Sequence, residues 1–131
     1  MDGGKHLGGL RVLIVEDEFL LAMELETLVA EGGSMAVGPA SSVRQALSLI
    51  NNGEHPDVAL LDVNLKGERA TPVAAALQER GVPYVLITGY SDAQLSEPEL
   101  RRAPRVDKPV SSRALKRAVK SALGAGNPFP N

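Results

Sequence analysis

Four short apolar runs and a weaker fifth strand segment recur along the chain, separated by segments with helical spacing, and this alternation restricts the fold more than any other feature. Leu10–Val15, Met35–Val37, Asp57–Asp62, Tyr84–Thr88 and Arg105–Asp107 read as strands. The first, third and fourth are almost continuously apolar, as expected of parallel strands covered on both faces. Between them, Phe19–Glu31 places Leu21, Leu25 and Leu28 on one helical face and stops at Gly32-Gly33, where glycine accommodates the left-handed turn that ends a helix. Ser42 followed by Gln45 forms a capping-box pattern ahead of Val43, Ala46, Leu47 and Ile50. A third helix runs through Val73–Leu77, beginning near Thr71-Pro72 and closed by Gly81 and Pro83. Ser91–Gln94 is a second capping-box pattern, but Pro98 and Pro104 leave little room for a long fourth helix. Ser111 and Ser112 start a last helix with Leu115, Val119 and Ala122 facing inward. Strand and helix alternating in this way predict an α/β domain with a parallel sheet and helices on both faces.

Where the polar residues interrupt this pattern is equally informative. Glu16-Asp17 closes the first run and Asp62 closes the third. In open parallel sheets the carboxyl ends of the strands form the ligand-binding edge, at the point where strand order reverses. Three carboxylates meeting there would repel one another unless a cation sat among them. A hard divalent ion such as Mg²⁺, which takes carboxylate and water oxygens, suits such a set.

Composition narrows the chemistry further. The 131 residues fit one domain of ordinary size, and the net charge of −2 gives no bulk attraction to nucleic acid or to a membrane surface. The chain has no cysteine, which excludes zinc-thiolate sites, disulfides and cysteine catalysis. No apolar stretch approaches the length of a membrane span, and Met1–Gly9 lacks the apolar core of a signal peptide. A cytoplasmic location is expected. Residues 1–9 read as a flexible N-terminal segment, 10–123 as the domain and 124–131 as a tail.

The acidic pair Glu16-Asp17, Asp62, Thr88 and Lys108-Pro109 fall in order, each after a predicted strand. Together they resemble the receiver domain of two-component response regulators over roughly residues 10–123. The resemblance implies a five-stranded parallel sheet in order 2-1-3-4-5, a flavodoxin-like architecture. It implies that Asp62 accepts a phosphoryl group from a sensor histidine kinase or phosphotransfer protein. Mg²⁺ would be held by Asp17 and Asp62, by Glu16 through water, and by the backbone carbonyl of Asn64. Lys108 would stabilise the phosphoryl oxygens, and Thr88 would donate its hydroxyl to one of them once the bond forms. The implied protein is a phosphoacceptor, not a turnover enzyme. Self-catalysed transfer and slow self-dephosphorylation would be its only chemistry. With no output region in the sequence, it would act in trans on a target protein, or as a phosphate sink or shuttle, as a monomer or weak homodimer.

The sequence departs from the family in two places. Where the family commonly has an aromatic residue three positions before the lysine, this chain has Arg105. Thr88-Gly89-Tyr90 is similar to an atypical receiver group with a Phe-Ala-Thr-Gly-Tyr-like motif, although Leu86-Ile87 replaces Phe-Ala. Thr88, Tyr90 and Arg105 are therefore the switch candidates, with Tyr90 standing in for part of the missing aromatic switch or shielding the phosphoryl group from water.

Taken singly, each motif has an ordinary structural reading. Glu16-Asp17 could cap a helix, Asp62 could be a turn residue, and Thr88-Gly89 and Lys108-Pro109 could be plain strand exits. Their joint occurrence argues for chemistry. His6 and His55 read as solvated loop residues, and Arg113, Lys116, Arg117 and Lys120 as a solvated helix face. An aspartyl-phosphate hydrolase would need a carboxylic acid two residues after the nucleophile, where this chain has Asn64. The remaining alternative is a degenerate receiver acting as a phosphorylation-independent binding module.

Overall fold

The computed structural model describes residues 8–89 and 95–124. The elements are β1 (Arg11–Val15), α1 (Phe19–Glu31), β2 (Met35–Ala40), α2 (Val43–Asn51), β3 (Val58–Asp62), β4 (Asn64–Leu65), β5 (Glu68–Arg69), α3 (Thr71–Glu79), β6 (Tyr84–Thr88), α4 (Pro98–Arg101), β7 (Arg105–Asp107) and α5 (Ser112–Leu123). The main sheet is five-stranded, in the order β2-β1-β3-β6-β7, and every pair in it is parallel. Counting only these strands gives the expected 2-1-3-4-5.

Alternation along the strands splits the core in two. Leu13, Val15, Ala59, Leu61, Tyr84 and Leu86 face one side, against Ala46 and Ile50 of α2, Val73, Ala74 and Leu77 of α3, and Leu100 of α4. Val12, Ile14, Val58, Leu60, Val85 and Ile87 face the other, against Leu21, Leu25 and Val29 of α1 and Leu115, Val119 and Ala122 of α5. Both central strands, β3 and β6, are buried over their whole length, which is why their sequences show no polar alternation.

Several boundaries differ from the sequence expectation. β2 continues through Gly38 and Pro39 to Ala40, beyond the expected end at Val37. It is an edge strand, where proline removes no ladder bond, and its register against β1 shifts between Leu13 and Val15. Gly38 sits at this irregularity with φ +95°, a conformation that suits glycine. The Ser42 hydroxyl accepts from the Gln45 amide, as predicted, but the Gln45 side chain reaches back to Ser41 instead of the Ser42 amide. α4 is only four residues long, as expected from the two prolines, and Pro98 occupies its first turn, where no donor is lost. The antiparallel hairpin β4–β5 was not anticipated. The second capping-box pattern, Ser91–Gln94, lies outside the described residues, as does His6.

Candidate functional site

Register brings the acidic residues together. β1 and β3 are neighbours with Val15 beside Leu61, so Glu16 and Asp62 leave adjacent strands at the same level. Glu16, Asp17 and Asp62 each offer a carboxylate oxygen within 4.8 Å of the others. Glu16 and Asp62 are only 2% and 3% exposed, while Asp17 is half-buried. From the end of β7, Lys108 Nζ reaches to 3.2 Å from Asp62 Oδ2.

Burial and these charges together bias protonation in the pocket. Burial, the close approach of the Asp62 carboxyl and its charge push the Glu16 carboxyl up to about 8, against the pull of the Glu18 amide and the Lys108 ammonium. Burial opposes the Lys108 charge. The attraction of Asp62 and Glu16 and the hydrogen bond to Asp62 outweigh it and hold the ammonium above its ordinary pKa.

The loop after β3 frames the pocket with backbone donors. The Asn64 amide donates to Asp62 Oδ1 at 3.0 Å and the Lys66 amide to Asp17 Oδ2 at 3.0 Å. Lys66 (φ +52°) and Gly67 (φ +85°) form the tight link between β4 and β5, both with the positive φ that a two-residue hairpin turn requires. Arg69, at the end of that hairpin, donates through Nε and Nη2 to the two oxygens of Glu97 at 2.8 and 3.0 Å, and through Nη1 to Asn64 Oδ1 at 3.4 Å. Glu97 is the N-cap residue of α4, and the Arg69 bonds hold its carboxyl down to about 2. Sequence reasoning missed this link, because two-residue strands carry no periodicity. The Lys-Gly pair at 66–67 was the only local signal.

Thr88 closes β6, fully buried, beside Asp107 in the register with β7. Its hydroxyl donates to Asp107 Oδ1 at 2.7 Å and lies 3.4 Å from the Val106 carbonyl oxygen. The Lys108 amide donates to the Thr88 carbonyl at 2.9 Å. Arg105 is exposed at the start of β7, and Tyr90 lies outside the described residues. His55 is exposed and apart from the acidic cluster, as expected.

A hard cation fits the donor set. The three carboxylates supply oxygen ligands of the type Mg²⁺ prefers, and Glu16 Oε1 is buried without a hydrogen-bond partner. An unpaired buried carboxylate oxygen is costly, and a cation would satisfy it.

Fold and pocket define a doubly wound α/β protein with a buried, lysine-paired acidic centre at its switch point. The family model described as the response regulator receiver domain matches residues 12–120, and the chain belongs to that family. The positive alginate biosynthesis regulatory protein of Pseudomonas aeruginosa is 36% identical over 117 residues, covering 86% of this chain and 47% of that protein. The phyllosphere-induced regulator PhyR of Methylorubrum extorquens is 29% identical over 114 residues, covering 86% of this chain and 43% of its own length. The chain thus spans less than half the length of these curated relatives. The solution structure of SdrG from Sphingomonas melonis Fr1 superposes with a TM-score of 0.79 at 38% identity, over 88% of this chain and 98% of that one. Among the described residues, no helix is long and apolar enough to cross a membrane.

Proposed function

We propose that this receiver domain is a working phosphoacceptor in a two-component phosphorelay, with Asp62 as the acceptor. The observation that carries this reading is the pairing of Asp62 with Lys108 at 3.2 Å inside a cluster of three carboxylates whose oxygens lie within 4.8 Å. A carboxylate nucleophile attacks the phosphorus of a phosphohistidine donor. The Asp62 O–P bond forms as the donor N–P bond breaks, and the electron pair returns to the donor imidazole. The donor would be a sensor histidine kinase or a phosphotransfer protein.

Each residue has a role in this reaction. Asp17 and Asp62 would hold Mg²⁺ directly, Glu16 through water and Asn64 through its carbonyl. Bound there, the ion supplies neutralisation of the phosphoryl oxygens and alignment for in-line attack. Lys108 offers a fixed cation for the oxygens that develop charge during transfer. Thr88 supplies a hydroxyl whose hydrogen bond to the phosphoryl group would exist only after transfer, so it biases a two-state equilibrium. The protein is then a self-modifying switch. It signals in trans through protein contact, or drains or shuttles phosphoryl groups, in the cytoplasm.

Intact mass after incubation with Mg²⁺ and acetyl phosphate tests this. The expected result is a phosphoryl adduct on the wild type and none on Asp62→Asn. Absence of any adduct on a folded wild-type chain would overturn the reading in favour of a phosphorylation-independent binding module.

A further inference from the structure

The hydroxyl of Thr88 is already committed. A hydroxyl has one hydrogen to give, and here it points at Asp107 Oδ1 at 2.7 Å, a short charge-assisted geometry. The Val106 carbonyl at 3.4 Å is a much poorer acceptor. Asp107 lies beside Thr88 in the β6–β7 register, immediately before Lys108, and its side chain is exposed. Among the described residues its carboxylate has no other hydrogen bond. Val106, on the opposite face of β7, is buried against α5 and supplies the strand's packing. Asp107 therefore adds little to the core.

We propose that Asp107 is a positioning residue that latches the Thr88 hydroxyl in the resting protein, so that an anion on Asp62 must compete with a fixed carboxylate for the same hydrogen. This rests on the phosphoacceptor reading above and adds a restraint to it. The latch sets a threshold. The phosphorylated conformation becomes favourable only after one charge-assisted bond is exchanged for another, and the exposed Asp107 returns to water when released. Removing the carboxylate leaves the Thr88 hydroxyl free for the anion.

Beryllofluoride, with Mg²⁺ in excess, provides the probe, titrated into the full chain and followed by amide NMR. Asp107→Ala is expected to lower the half-saturating concentration about tenfold, equivalent to about 1.4 kcal/mol. Because Asp107→Ala also removes a negative charge near an anion site, the substitution is repeated in a Thr88→Val background, whose fold the same spectra report. There the gain is expected to shrink below about twofold. Saturable binding by the wild type with no shift in Asp107→Ala would overturn the latch alone. An equal gain with and without the Thr88 hydroxyl would also overturn it, assigning the effect to charge. No saturable binding by the wild type, or binding that survives Asp62→Asn, would overturn the phosphoacceptor reading and the latch with it.

Discussion

The guanidinium of Arg69 forks onto the carboxylate of Glu97, at 2.8 and 3.0 Å, and so ties the hairpin that follows the acidic pocket to the N-cap of α4. With the Arg69 contact to Asn64 Oδ1, a continuous polar path runs from the loop after β3 to the start of α4. A bidentate pair fixes geometry more firmly than a single contact. Both side chains are partly exposed, at 38% and 24%, so its contribution to stability is about 1 kcal/mol or less.

Glu97→Gln should therefore lower the urea midpoint modestly at neutral pH. The Glu97 carboxyl is lowered from 4.5 to about 2 in the folded protein, so its contribution is present above 4.5 and lost as pH falls through about 2. The wild type and Glu97→Gln should converge in stability over that window. Measured midpoints that stay equally separated down to pH 2 would show that the pair is not responsible.

Glu16 behaves in the opposite sense. Its carboxyl is raised from 4.5 to about 8, so without a divalent ion the folded state holds a proton that the unfolded chain has released. That contribution is complete below 4.5 and lost as pH rises through about 8. Thermal melts in chelator should show stability declining over this range, and Glu16→Gln should flatten the decline. A cation displaces the proton, so Mg²⁺ binding near neutral pH should release protons. Titration calorimetry in buffers of different ionisation heat measures that release directly.

Lys108→Ala removes the only cationic side chain hydrogen-bonded to Asp62 among the described residues. Loss of a fixed charge at a site of developing charge typically costs about a hundredfold or more in rate. Acetyl-phosphate labelling should slow by about that factor while Mg²⁺ binding persists. Mass spectrometry over time distinguishes the two effects.

Gly38→Ala tests the edge of the sheet, at the β1–β2 irregularity. A Cβ at Gly38 would lie 2.9 Å from the Ala40 amide nitrogen and 3.1 Å from the Ile14 carbonyl oxygen, at φ +95°. Backbone atoms on both sides leave nothing flexible to yield. A loss of roughly 2 kcal/mol is expected, read as a lower urea midpoint with the β1–β2 amides most affected.

The sheet was legible because burial on both faces of β3 and β6 leaves runs such as Val58–Leu61 and Tyr84–Ile87 with no polar interruption. The pocket was legible because Glu16-Asp17 and Asp62 stand at the ends of such runs and Lys108 follows the weaker last strand. What the chain did not reveal depends on pairings between distant residues. Arg69 meets Glu97 across 28 positions, and Thr88 meets Asp107 across 19, each through side chains that carry no local pattern. The β4–β5 hairpin escaped for a related reason, since Asn64–Arg69 is too short to show a period.

The hydrogen bond from the Lys108 amide to the Thr88 carbonyl gears two chemically unlike donors together. The hydroxyl at the end of β6 and the ammonium just past β7 are mounted on one rung of the ladder. A 2.9 Å backbone link joins the two residues, so the position of one constrains the position of the other. The end of β7 thus carries one of the two donors and holds the backbone of the other.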